Sequence, residues 1–139
     1  MFKTLCKVNN KVCRFIVDSG SSNNVASRDM VDKFKLATSP HPYPYKVSWL
    51  TKDKKTLINE KVRVEFKIGE YNDRVLCDVA EMDTCHLLLG RLWQYDVCAK
   101  HDGKTNIYTI TKDGIEYTMP PFPNNGRPVT NGVMLVGEK

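Results

Sequence analysis

Ile16-Val17-Asp18-Ser19-Gly20 is the stretch on which the reading of this chain turns. A carboxylate ends a short apolar run and is followed by a hydroxyl and a glycine. A carboxylate just past a buried strand is costly unless its surroundings use it. A glycine two residues on lets backbone come close to whatever the carboxylate faces. The tripeptide alone is weak, since at average residue frequencies it arises by chance in roughly one chain in twenty of this length. An Asx-type turn closing a strand is the plain alternative, with Ser19 and Gly20 serving turn geometry. What lies to either side has to decide.

Upstream, residues 2–8 and 11–17 flank Asn9-Asn10, a pair suited to the positive φ angles of a tight hairpin turn. The second arm runs into Asp18, so the carboxylate stands just past a strand end. Downstream, Ser27 reads as a helix N-cap with Asp29 in the first turn. Met30, Val31 and Phe34 give a short apolar face at helical spacing, and the helix is expected to end near Leu36. Pro40, Pro42 and Pro44 then make residues 38–45 extended. Val47-Ser48-Trp49-Leu50 and Thr56-Leu57-Ile58 bracket the charged Thr51-Lys52-Asp53-Lys54-Lys55. That profile is a projecting hairpin, read either as a solvated tip above a core tryptophan or as a flap over a cleft.

Val62, Val64, Phe66 and Ile68 alternate with polar residues, the cleanest period of two in the chain. Val75, Cys77 and Val79 alternate again, so strands 62–69 and 74–81 pair across a turn at Glu70 to Asp73. Leu87-Leu88-Leu89, bounded by Asp83-Thr84 and Gly90, reads as a short strand buried on both faces. A brief helix from Arg91 to Asp96 follows. Ile107 to Thr111 and Ile115 to Met119 form a last hairpin around Asp113-Gly114. Residues 120–139 hold four prolines among Asn and Gly and read as a loosely ordered tail beyond a domain of residues 1–119. The whole is all-β and barrel-like, with one or two short helices.

Composition narrows the classes. The 139 residues suit one domain with a sizeable core. No run approaches the roughly 18 apolar residues of a membrane span, and Met1 to Leu5 lead into mixed polar sequence without a signal-peptide pattern. The expected setting is intracellular and cytoplasmic. The net charge of +5 is spread along the chain, and its densest cluster, Lys52, Lys54 and Lys55, reads as the hairpin tip. With no zinc knuckle and no aromatic-basic repeat, the pattern points away from nucleic acid. Cys6, Cys13, Cys77, Cys85 and Cys98 are odd in number and make no Cys-x-x-Cys pair, so reduced thiols are the expectation. Cys98 and His101 with Cys85 and His86 lack the paired spacing of structural zinc, and no metal site is assigned. No spacing favours a thiol site from Cys13, Cys85 or Cys98, and no Gly-x-Ser-x-Gly elbow is present.

The order of these elements is informative. An apolar strand ends in Asp18-Ser19-Gly20, a hairpin carrying Trp49 follows about 30 residues later, and Leu87-Leu88-Leu89-Gly90-Arg91 comes about 70 residues after the aspartate. In this order the chain resembles the retropepsins, the aspartic proteases of retroviruses and LTR retrotransposons. Val17 to Asn23, Pro44 to Leu50, Val75 to Val79, His86 to Arg91, and Asp102 to Asn106 with Tyr108 look like the protease segment of plant gypsy-type retrotransposon polyproteins. The likeness covers about residues 5–120. Two positions depart from the pattern. Leu92 stands where that group usually has proline. Ser22 stands where many viral relatives carry an acid that pairs with the arginine matching Arg91.

The resemblance implies a closed retropepsin-like half-barrel and an aspartic endopeptidase without cofactor. Peptide hydrolysis then runs on two carboxyls sharing one proton, one as general base toward water and one as general acid toward the scissile carbonyl. One carboxylate per chain demands a two-fold homodimer. Asp18, Ser19 and Gly20 are implied as the catalytic loop, with the Ser19 hydroxyls bracing the pair across the axis. Ser21, Ser22, Trp49, Leu50, Thr51 and Lys52 would line the substrate and form the flap. Leu88, Leu89, Gly90 and Arg91 would support the loop, and Arg91 would help hold the dimer. The substrate would be an extended peptide of a retroelement polyprotein, met in the cytoplasm or in virus-like particles. The alternative is the same fold kept as a dimerisation or peptide-binding module with little or no catalysis.

Overall fold

A computed structural model describes residues 2–48, 55–121 and 134–135. Strands β1 (Phe2–Val8) and β2 (Lys11–Val17) form the expected hairpin, and Asn9 and Asn10 take φ angles of 52° and 65°. A three-residue strand β3 (Val25–Ser27) leads into helix α1 (Arg28–Lys33). The Ser27 side chain accepts from the Met30 amide at 3.1 Å, the N-cap bond expected of it. The helix stops at Lys33, short of Leu36, because Lys35 turns to a positive φ of 54°.

Strands β4 (Thr38–Ser48) and β5 (Lys55–Ile68) pair antiparallel and form the two arms of the projecting hairpin. The strand expected at 62–69 is thus the distal half of a longer one. Its turn is also tighter than Glu70 to Asp73. Gly69 takes a φ of 59°, and β6 (Tyr71–Ala80) already begins at Tyr71. Tyr71 is fully buried and continues the inward series of Val75 and Cys77, a role its polar neighbours Glu70 and Asn72 conceal.

Strand β7 (Leu87–Leu89) runs parallel to β2, with Phe15, Ile16 and Val17 opposite Leu87, Leu88 and Leu89. Helix α2 (Arg91–Asp96) follows at the expected place. The first sheet has the order β1-β2-β7-β3-β6-β5-β4, and β1 also meets β5 at Lys7 and Lys67. That extra pairing closes six strands into a barrel and leaves β4 outside it. Strands β8 (Lys100–Asp102), β9 (Ile107–Lys112), β10 (Ile115–Met119) and β11 (Met134–Leu135) form a second sheet. Part of the segment read as a tail therefore pairs with β10.

Leu87 and Leu89 enter the main core with Phe15, Phe66, Tyr71 and Trp93, while Leu88 enters a smaller cluster with Ile16, Val25, Ile58, Ala80 and Cys85. This alternation explains three consecutive leucines: the strand is buried on both faces. The second sheet contributes Tyr108, Ile110 and Met119 to the main core, and Tyr108 meets Phe2 edge-on at 4.8 Å.

Candidate active site

Asp18 sits where β2 leaves the barrel. Its backbone amide donates to the Leu89 carbonyl at 3.1 Å, so the loop starts from a point fixed by β7. The Gly20 amide donates to Asp18 Oδ1 at 2.9 Å, and the Ser21 amide to the Asp18 carbonyl at 3.2 Å. The carboxylate is half-buried, and among the described residues Oδ2 has no hydrogen-bond partner. The plain turn reading accounts for the Gly20 contact. It does not account for the effort spent on the rest of the loop.

That effort centres on Gly90. A Cβ there would lie 2.4 Å from the Ser21 carbonyl oxygen and 2.5 Å from that of Asn23, so no side chain fits. The Gly90 amide donates to Asn24 Oδ1. Helix α2 has no side-chain cap, and its first amides are instead taken by the loop: Arg91 N–H donates to the Ser21 carbonyl at 2.8 Å and Leu92 N–H to that of Ser22 at 3.1 Å. Leucine in place of the usual proline at 92 therefore supplies a donor that the loop uses. Residues 18–24 are held along their length by β7 and the start of α2.

Ser19, Gly20 and Ser22 are exposed and Ser21 partly so. The Ser19 hydroxyl donates within the chain to Gln94 Oε1 at 3.0 Å. Leu88 and Leu89 are buried, and it is the Leu89 carbonyl that accepts the Asp18 amide. The Arg91 side chain is exposed, and among the described residues it makes no ion pair. Trp49, Leu50, Thr51 and Lys52, the flap residues of the sequence reading, lie outside the described residues.

Sequence reasoning passed over Asn23, Asn24, Tyr45, Asp78 and Gln94. Asp78 is buried on β6, and the Tyr45 hydroxyl donates to its carboxylate. Burial and that bond push the Tyr45 hydroxyl above its ordinary pKa, so it remains a donor. No local signal marked Asp78: as the polar residue between Cys77 and Val79 it fits the alternation, and its burial shows only in the fold.

Four of the five cysteines are buried, and Cys98 is exposed. Among the described residues none is in a disulfide. Burial pushes the Cys85 thiol up to about 11 and raises Cys6 and Cys13 as well, which suppresses the thiolate a nucleophile needs.

A family model described as the PEG10/RTL1 protease domain matches residues 14–106, about two-thirds of the chain. The chain belongs to this protease-domain family. The match includes both Asp18 and the Gly90 contact that secures its loop. Among solved structures, the retroviral protease-like domain of Ddi1 from Leishmania major superposes with a TM-score of 0.67 at 17% identity. That likeness covers 91% of this chain and 97% of the Ddi1 domain. The EIAV protease, complexed with the inhibitor HBY-793, gives 0.55 at 16% identity over 72% of this chain and 90% of its own. At such identities the likeness concerns the fold, a closed β barrel of retroviral-protease type. No curated protein sequence matches the chain. Among the described residues, no helix is long and apolar enough to cross a membrane.

Proposed function

We propose that this protease domain is an aspartic endopeptidase, active as a two-fold homodimer in which each chain supplies one Asp18. The observation that carries the reading is the Asp18 loop itself. A half-buried carboxylate, one oxygen of which has no hydrogen-bond partner among the described residues, stands on a loop clamped by Leu89, Gly90 and α2, in a chain of a protease-domain family.

In the reaction, the ionised Asp18 of one chain takes a proton from water as the water oxygen attacks the scissile carbonyl carbon. The protonated Asp18 of the other donates to the carbonyl oxygen, giving a tetrahedral diol. Collapse breaks the C–N bond as the first Asp18 gives its proton to the amine nitrogen and the second takes one from a diol hydroxyl, leaving an acid and an amine and restoring the starting pair. Ser19 and Arg91, both exposed, are assigned to bracing the paired loops. Ser21, Ser22 and the hairpin residues 49–52 are assigned to an extended peptide, whose backbone would pair with them as an added strand. The substrate proposed is a polyprotein of a gypsy-type retroelement.

The test is cleavage of a peptide library by purified protein, with Asp18→Asn as control. Activity lost in that variant and blocked by a statine-type transition-state mimic supports the reading. Equal activity in both proteins sinks the mechanism, and a well-formed dimer without activity favours a peptide-binding module.

A further inference from the structure

Asp78 is buried to 3% exposure and meets four side chains from three elements, two by hydrogen bond and two by ion-pair contact. Its Oδ1 takes His41 Nε2 at 3.2 Å and Lys61 Nζ at 3.3 Å. Its Oδ2 takes the Tyr45 hydroxyl and Asn23 Nδ2, the latter at 3.3 Å. Asn23 Nδ2 also reaches the Tyr45 oxygen at 3.3 Å, and the Asp78 amide donates to the Asn24 carbonyl at 2.9 Å. His41 and Tyr45 are on β4, Lys61 on β5, and Asn23 and Asn24 on the loop that begins at Asp18.

Stability alone does not explain such a group, because a buried ion pair gains little over a well-packed apolar residue. Its placement offers a reason. The β4–β5 ladder is regular from Thr38 to Pro40 and again from Tyr45 to Ser48, and its register shifts between them. Regular backbone pairing is interrupted there, at a bulge-like irregularity of the kind that bends a strand. His41 and Tyr45 flank the interruption, and both bind Asp78.

Resting on the protease reading above, we propose that Asp78 is a positioning residue, fixing the hinge of the β4–β5 flap and joining it to the loop that carries Asp18. Through this carboxylate, seating of the flap on a peptide and placement of the catalytic loop become one event. Asp78 touches no substrate; it acts through Tyr45 and Asn23.

The experiment compares wild type, Asp78→Asn and the milder Tyr45→Phe by amide hydrogen exchange and by cleavage of an extended peptide. In both variants exchange should accelerate at Tyr43, at Tyr45 to Ser48 and at Asn23 to Val25, by about ten-fold or more for Asp78→Asn, while β1 and β2 keep their rates. KM should rise by about ten-fold in Asp78→Asn with kcat changing far less. Should Asp78→Asn fail to fold, Tyr45→Phe carries the same test, with smaller changes expected at the same amides. Acceleration spread evenly over the barrel, or a faster hinge with unchanged KM, overturns the proposal. A wild type that cleaves nothing would remove the protease reading instead. The exchange pattern would then decide alone, with confinement to hinge and loop in favour and uniformity against.

Discussion

The Gly90 amide donates to Asn24 Oδ1 at 3.1 Å, joining residues 66 positions apart in a bond that is buried. Asn24 is the last residue before β3, and Gly90 is the N-cap of α2. One bond therefore fixes the exit of the Asp18 loop to the start of the helix whose first amides that loop accepts.

Removing the acceptor isolates its contribution. Asn24→Ala leaves the Gly90 N–H buried and unpaired, a cost of about 1–3 kcal/mol. Urea denaturation of the two proteins should show a lower midpoint with an unchanged slope. An unaltered midpoint would mean that the loop is held by its other contacts.

The glycine on the other side of that bond is under a steric constraint. Gly90→Ala places a methyl group within 2.4 Å of the Ser21 oxygen, and both partners are backbone. The loop must move, at about 1–3 kcal/mol or more. Thermal melting reads the loss, and peptide cleavage should fall further than stability alone explains, because Asp18 moves with Ser21.

His86 provides a pH signature. Its Nδ1 accepts the Arg14 amide at 2.8 Å, which requires the ring to lack a proton there. Burial, then the charges of Arg14 and Lys33, lower its pKa below the ordinary value, and Asp29 opposes them weakly. The unfolded chain thus binds the proton more readily than the folded one. The stabilisation is complete above the unfolded pKa of about 6.5 and declines as pH falls toward the lowered folded value. Melting temperatures from pH 7.5 to 5 should fall more steeply in wild type than in His86→Asn, whose Oδ1 can accept from Arg14 without titrating. Parallel curves would count against it.

If two chains share one site, activity per chain must depend on concentration. In a dilution series specific activity should drop over the range in which sedimentation shows dimer giving way to monomer. Constant specific activity across that range would exclude the shared site.

The Asn9-Asn10 turn, the period-two strands, the Leu87–Leu89 strand and α2 were all legible because each depends on neighbours in sequence. Strand β3 was not: Val25-Ala26-Ser27 is only three residues long and ends in the N-cap of α1, so it reads as the approach to that helix. Strand β8 was hidden for the opposite reason, since Lys100, His101 and Asp102 are all exposed. The Asp18 loop could be found from its tripeptide, but its restraints could not. Ser19 with Gln94, Asn23 with Asp78 and Asn24 with Gly90 are polar pairs between 55 and 75 residues apart, and no local pattern encodes them.

The placing of β4 outside the closed barrel has a consequence for solubility. An unpaired strand edge is a template on which another molecule can stack and begin an aggregate. In the first sheet that edge belongs to β4, and β4 carries Pro40, Pro42 and Pro44, each lacking the amide hydrogen that a stacking neighbour would need. The prolines that make the segment extended also withhold three amide hydrogens from any stacking neighbour, which disfavours edge-to-edge pairing along that part of β4.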